Sequence, residues 1–212
     1  LFRGDLCDEK LVTRALAGGV DVVFHQAAIA SVPRSVADPL RTHAVNLAGT
    51  LGLLEAARRG GVRRFVYASS SAIYGDGPEL PKRESLPARP LSPYAVQKHA
   101  AELYAKVYSR LHGLASVGLR YFNVYGPRQD PKSDYAAVIP LFVTAALAGA
   151  PVCIHGDGEQ TRDFVYVDDV VQANLLAATA EGVAGEVFNV ASGRRTSVNE
   201  LARVIGERAR RR

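Results

Sequence analysis

The chain has 212 residues, 48% of them hydrophobic and 22% charged, a formal net charge of +5 and two cysteines. That make-up excludes disordered and fibrous classes and suffices for one sizeable core, or a core with a small lobe. No apolar run reaches the ~18 residues of a membrane helix and no basic-then-apolar leader opens the chain, so the expectation is a cytoplasmic protein without membrane contact. Cys7 and Cys153 have no His or Cys neighbours at ligand spacing, which excludes a zinc site and fits free thiols in a reducing compartment. Nor does the positive charge mark a nucleic-acid binder. Part of it lies in the terminal run Arg210-Arg211-Arg212, and Arg58, Arg59, Arg63 and Arg64 flank a helix end, where cations complement the macrodipole. The chain contains no Met and opens on Leu1-Phe2-Arg3-Gly4-Asp5, which reads as a strand end, so the natural N-terminus is expected upstream.

Apolar runs rich in β-branched residues alternate with longer amphipathic segments. This is the pattern of an α/β protein with a Rossmann-like, doubly wound parallel sheet. In chain order, residues 20–24 read as a short buried strand. Residues 38–59 read as a helix, with Leu40, Ala44, Leu47, Leu51 and Leu54 at helical spacing before Gly60-Gly61 stops it. Residues 64–68 form the next strand and the Pro-rich stretch 78–93 a loop. Ser92-Pro93 then opens a long helix to residue 111 that Gly113 closes. A strand over 115–122 and a helix over 136–147 follow, then strands at 152–154 and Glu186–Val190. The mixed later segments predict a main domain over 1–125 and a smaller lobe over 126–212 with strands returning to the main sheet.

Tyr94-Ala-Val-Gln-Lys98 sits at the start of the long helix, where positions i and i+4 share a face and bring phenol and ammonium together. A cation beside a phenol favours the phenolate and moves a weak base toward neutral pH. Such pairs also occur by chance. Ala68-Ser69-Ser70-Ser71-Ala72-Ile73-Tyr74-Gly75 places a hydroxyl cluster at the end of a parallel strand, where open α/β sheets bind ligands, although turns favour the same residues. His25 reads as a strand-end residue bonded to backbone rather than a catalytic group.

A strand-end serine cluster upstream of a Tyr-x-x-x-Lys helix resembles the extended short-chain dehydrogenase/reductase family, and the resemblance runs along essentially the whole chain. It implies NAD as cofactor, a UDP-sugar substrate, a homodimer joined through the helices at 38–59 and 92–111, and no metal. Asp5 resembles the family's adenine-contacting Asp, and His25-Gln26-Ala27-Ala28 its loop along the cofactor diphosphate and ribose. Asn46 resembles its helix Asn, and Ser69 and Tyr121 complete the cofactor set. Ser71 is implied to hydrogen-bond the reacting sugar hydroxyl. Tyr94 is the implied general acid/base, with Lys98 lowering its pKa and holding the nicotinamide ribose. Segments 120–128 and 156–164 resemble nucleotide-sugar segments in which Asn123 and Arg162 hold the diphosphate. Ser31, Gln129 and Ala137 are implied to line the space around the sugar 2-substituent, as in epimerases that prefer N-acetylated sugars, or else only shape loops.

Within the family, 4,6-dehydratases and UDP-glucuronate decarboxylases resemble this chain but carry an acid where it has Ala72-Ile73. The resemblance therefore implies 4-epimerisation through a 4-keto sugar. UDP-glucuronate 4-epimerases come second, with Arg-Phe-Phe-Thr where this chain has Arg120-Tyr121-Phe122-Asn123. A silent scaffold on the same fold is the non-enzyme alternative, and the joint presence of Ser71, Tyr94 and Lys98 argues against it. The family's glycine-rich phosphate loop is expected before Leu1 and its C-terminal gate after Arg212, so that these residues alone are expected to leave an apolar sheet face bare.

Overall fold

The computed structural model describes residues 1–131 and 137–210. The chain folds as two compact units, the first built from residues 1–121 and 171–190 and the second from 122–170 and 191–212.

In the first unit α1 (Glu9–Leu16) leads to β1 (Val22–His25) and then α2 (Val32–Ala37), capped by Ser31. The helix expected over 38–59 begins as α3 (Pro39–His43) with Asp38 as its cap, continues as a π-helical stretch (Ala44–Ala48), and ends as α4 (Gly49–Arg59). π-Bulges concentrate at functional sites, and this one carries the buried Asn46. Next come β2 (Arg64–Ser70), a 3-10 turn (Ser71–Tyr74), α5 (Pro93–His112) and β3 (Ala115–Tyr121). The Ser92 hydroxyl accepts from the Ala95 N–H, Pro93 occupies the first turn, and Gly113 closes the helix at φ 70°, as the cap residues predict.

The second unit holds β4 (Asn123–Tyr125), α6 (Val138–Leu147), β5 (Thr161–Arg162) and β6 (Phe164–Tyr166). Helix α7 (Val167–Thr179) follows, its residues from Val171 belonging to the first unit together with β7 (Glu186–Val190). Finally β8 (Thr196–Ser197) and α8 (Val198–Ala209) return to the second unit. The expected helix start at residue 136 lies outside the described residues.

The first unit's sheet runs β1-β2-β3-β7, all parallel. Leu54 and Ala57 of α4 and Phe65 of β2 are fully buried in the core, with Leu16, Tyr67 and Leu114 around them. On β3, Gly118 lets Tyr67 cross the sheet: a Cβ there would lie 2.6 Å from the Tyr67 hydroxyl and 2.8 Å from Val187. Phe24 and Phe188 remain 44% and 38% exposed. In the second unit β4 pairs with β6, β5 pairs with β8, and Phe142, Val198 and Leu201 form the core of α6 against α8.

Two expected strands do not form. Residues 152–154 are irregular, and their one large inward residue, Ile154, packs into the α6–α8 core instead of entering a ladder. Residues 1–5 are exposed and pair with no described strand.

Candidate active site

β2 runs two residues past its apolar stretch and ends in Ser69 and Ser70, in register with Arg120 and Tyr121 of β3. Successive side chains on a strand point to opposite faces, and the two hydroxyls part accordingly. Ser69 is buried and donates to Glu102 Oε1 at 2.6 Å, so its hydroxyl is committed within the protein and does not face a cofactor. Ser70 accepts the Ala72 N–H at 3.2 Å, and its hydroxyl also acts on the Tyr94 phenol, favouring the phenolate. The family resemblance assigns the bond to the reacting sugar hydroxyl to Ser71. Ser71 opens the 3-10 turn, while Ser70, at the end of the lengthened strand, is the serine whose hydroxyl acts on Tyr94. Gly75 ends that turn at φ 58°, where any side chain would collide with the Arg89 carbonyl.

Tyr94 and Lys98 lie on one face of α5, with the Lys98 ammonium 5.9 Å from the centre of the Tyr94 ring. Lys98 donates to the Ala68 carbonyl at 2.8 Å and is 6% exposed. Burial lowers its pKa to about 8. An ammonium has three donors, so two remain for a ligand beyond the Ala68 bond. For Tyr94, burial pushes the phenol pKa up and the Ser70 hydrogen bond pulls it down. Burial is the larger of the two, so the phenol lies above its ordinary range.

Glu102, a further turn along α5, forms a bidentate pair with Arg120 at 2.7 and 2.9 Å, and each residue is 5% exposed. Arg120 also donates to the Tyr74 hydroxyl at 2.9 Å, and Tyr74 donates to Asn189 of β7 at 2.6 Å. Sequence reading missed this network, whose one signal was an acid four residues after Lys98. His25 bonds the Thr50 hydroxyl at 2.8 Å rather than backbone, and burial followed by repulsion from Lys98 lowers its pKa to about 4.

The remaining cofactor candidates divide. Asp5 is exposed and accepts the Cys7 N–H at 2.9 Å, a bond that holds its carboxyl below the usual range. Ala27 is exposed and Ala28 half-buried in the loop after β1. Asn46 is 1% exposed, and its amide faces the Ile29 backbone and Gln97, so it braces the loop rather than contacting a ligand. Tyr121 belongs to a closed ring of hydrogen bonds. It donates to Gln26 at 3.1 Å, Gln26 donates to Asn174 at 3.0 Å, and Asn174 donates back to Tyr121 at 2.7 Å.

In the second unit a cleft of about 470 Å³ is lined by Asn123, Ala137, Arg162, Cys153, His155 and Gln160 among others. Asn123 donates its side-chain amide to the Asp163 carbonyl at 2.9 Å, and Arg162 is exposed. Asp163 accepts from Ser192 and from the Gly193 N–H, fixing the turn before β8. Gln129 donates to the Val124 carbonyl at 3.4 Å and lies outside the cleft lining. Ser31 caps α2 by accepting from the Arg34 N–H, so its hydroxyl has a structural task. Among the described residues there is no cluster of metal-ligating side chains and no helix long and apolar enough to cross a membrane.

A parallel sheet whose central strand ends in a hydroxyl facing a helical Tyr-x-x-x-Lys pair defines the class. The chain belongs to the NAD dependent epimerase/dehydratase family, whose model matches residues 1–191. It is 44% identical over 204 residues to the UDP-glucose 4-epimerase of Mycolicibacterium smegmatis, covering 96% of this chain and 64% of that protein. A UDP-N-acetylglucosamine 4-epimerase from Methanobrevibacter ruminantium, solved with UDP-N-acetylmuramic acid, superposes with a TM-score of 0.92 at 46% identity, covering 96% of this chain and 64% of that one. The Thermus thermophilus UDP-glucose 4-epimerase solved with NAD gives a TM-score of 0.90 at 44% identity, covering 98% and 68%. dTDP-glucose 4,6-dehydratases match as well, at 36 to 40% identity. The chain spans just under two thirds of the length of the first curated relatives, 64 to 65%.

Proposed function

We propose that the protein is an NAD-dependent 4-epimerase of UDP-hexoses or UDP-N-acetylhexosamines. The observation that carries this reading is the half-buried Tyr94 and buried Lys98 on one face of α5, with Ser70 beside Tyr94 at the end of β2. The donor set fits NAD. Lys98 has two donors left for ribose hydroxyls, Tyr121 is braced nearby on β3, and the Ala27-Ala28 loop offers small side chains past which a diphosphate can run. Bound NAD supplies the hydride acceptor and donor at the sugar C4.

Tyr94 exchanges the proton of the C4 hydroxyl, and Ser70 hydrogen-bonds the same oxygen. Lys98 forms no ion pair among the described residues, so its ammonium stabilises the phenolate that proton removal requires. After the 4-keto sugar turns, Tyr94 returns the proton to the C4 oxygen, and bound NAD would supply the hydride to the other face. Asn123 and Arg162 hold the substrate diphosphate at the second unit's cleft. Dehydration would need an acid beside the reacting hydroxyls. Ser70 is followed by Ser71 and Ala72, and the nearby Glu102 is locked to Arg120. This favours epimerisation over the dehydratase chemistry of other relatives.

A homodimer is supported by Val96, Leu103, Val107 and Leu111, an apolar row on α5 that is 46 to 73% exposed. The exposed thiols of Cys7 and Cys153 fit the reducing cytoplasm. The test is to incubate the protein with NAD and either UDP-glucose or UDP-N-acetylglucosamine and resolve the 4-epimers by chromatography. A galacto-configured product is expected from at least one. A catalytically silent protein would give none, and a dehydratase would give a deoxy-keto sugar.

A further inference from the structure

The first turn of α5 is gripped from the side by polar groups of the segment 31–46. The Tyr94 N–H, one of the helix's unpaired first-turn donors, donates to the hydroxyl of the fully buried Ser35 at 3.0 Å. Gln97 lies between the two catalytic candidates and is 3% exposed. Its Nε2 donates to the Thr42 hydroxyl at 3.0 Å, and its Oε1 accepts from Asn46 Nδ2 at 2.9 Å. Asn46 in turn clasps the backbone of one residue in the loop after β1: its Oδ1 accepts the Ile29 N–H at 2.8 Å, and its Nδ2 donates to the Ile29 carbonyl at 3.1 Å. Thr42 completes the chain by donating to the Asp38 and Pro39 carbonyls at 3.1 Å. Both amide hydrogens and the carbonyl oxygen of Asn46 are therefore engaged, and Asn46 lies in the π-helical stretch.

We propose that Gln97 is a positioning residue: through Asn46 it holds the Ile29 loop at a fixed distance from Tyr94 and Lys98. A buried amide chain satisfied at each link has one arrangement, and a half-satisfied one is disfavoured, so the loop and the catalytic turn move together. The inference rests on the reading of Tyr94 and Lys98 as the acid/base pair and of the loop as the cofactor's seat. Displacing a reacting group by ~1 Å costs on the order of 100-fold in rate, which sets the scale of the effect.

Gln97→Met keeps the side chain's bulk and removes both polar ends, whereas Gln97→Glu keeps an acceptor for Asn46. Amide hydrogen exchange, which needs no turnover, reads the link directly. The expected result is exchange at Ile29 faster by about tenfold or more in Gln97→Met, with the β2 amides of Val66 and Tyr67 unchanged and Ile29 still protected in Gln97→Glu. Epimerase turnover is expected to fall about 10- to 100-fold in Gln97→Met with KM for the sugar nucleotide held within about twofold. Should Gln97→Met fail to fold, Thr42→Val breaks the same chain at its far end and is expected to release Ile29 to a smaller degree. Unchanged Ile29 exchange in both variants would overturn the proposal. Altered exchange without epimerase activity in the parent protein would instead retain the bracing and overturn the catalytic reading.

Discussion

Replacing Arg120 by Met is expected to strip Glu102 of its bidentate guanidinium partner. In the folded protein the carboxylate keeps the Ser69 hydroxyl, while His99 Nδ1 stands 3.7 Å away. Both partners are almost wholly enclosed, with side-chain exposures of 7% and 5%. Removing one member of a buried pair leaves an uncompensated charge and costs about 3–5 kcal/mol, where an exposed pair costs about 0–1. The Tyr74 hydroxyl also loses a donor, which adds to the loss. With a urea slope of about 2 kcal/mol/M, the midpoint should fall by about 1.5–2.5 M. Glu102→Gln should fall less, because the amide still accepts from Arg120. The double variant Glu102→Gln/Arg120→Met should lie above the sum of the single losses, since no buried charge remains. Equilibrium urea unfolding followed by circular dichroism measures all three. A shift under about 0.5 M for Arg120→Met would refute the reasoning, because it would give the pair the worth of a surface contact.

The low pKa of Lys98 carries a stability cost with a defined pH window. Below about 8 the folded chain holds a buried ammonium; between about 8 and the usual 10.5 the folded state has released a proton that the unfolded chain keeps, so stability rises with pH there. Lys98→Met is therefore expected to stabilise the protein by about 1–3 kcal/mol at pH 7 while abolishing turnover, the gain shrinking toward pH 10 in urea titrations. His25 acts at the acid end. It is neutral when folded, so stability is full above 6.5 and falls as the pH drops toward about 4, where the folded residue also protonates. His25→Gln should flatten that limb of the thermal midpoint against pH, and an unchanged limb would count against the buried neutral imidazole.

The parts of the fold that the sequence announced are those with dense local signals. Ser92-Pro93 and Gly113 bracket α5 within one residue of its observed end, and the β-branched runs of β2, β3 and β7 are each strands. Residues 152–154 mislead because a three-residue apolar run fits a strand or a core filler equally well, and tertiary packing decides. α7 and α8 went unread because their apolar positions sit in short, mixed segments whose neighbours are distant in sequence. The Tyr94–Lys98 pairing was legible from i, i+4 spacing. Which serine meets Tyr94 was not, since a one-residue shift in where β2 ends decides the facing hydroxyl. The Glu102–Arg120–Tyr74–Asn189 network joins four elements and follows from no local pattern.

The most direct test of the central claim uses UDP-glucose carrying deuterium at C4, incubated with the protein and NAD, with the product sugar examined by mass spectrometry and NMR. Hydride that leaves C4 and returns to the opposite face of the same carbon yields a galacto-configured product with the deuterium still at C4. Ser70→Ala and Tyr94→Phe should suppress it, and Ser71→Ala should not. A deoxy product with deuterium moved to C6, or full conversion by the Tyr94→Phe variant, would contradict the account.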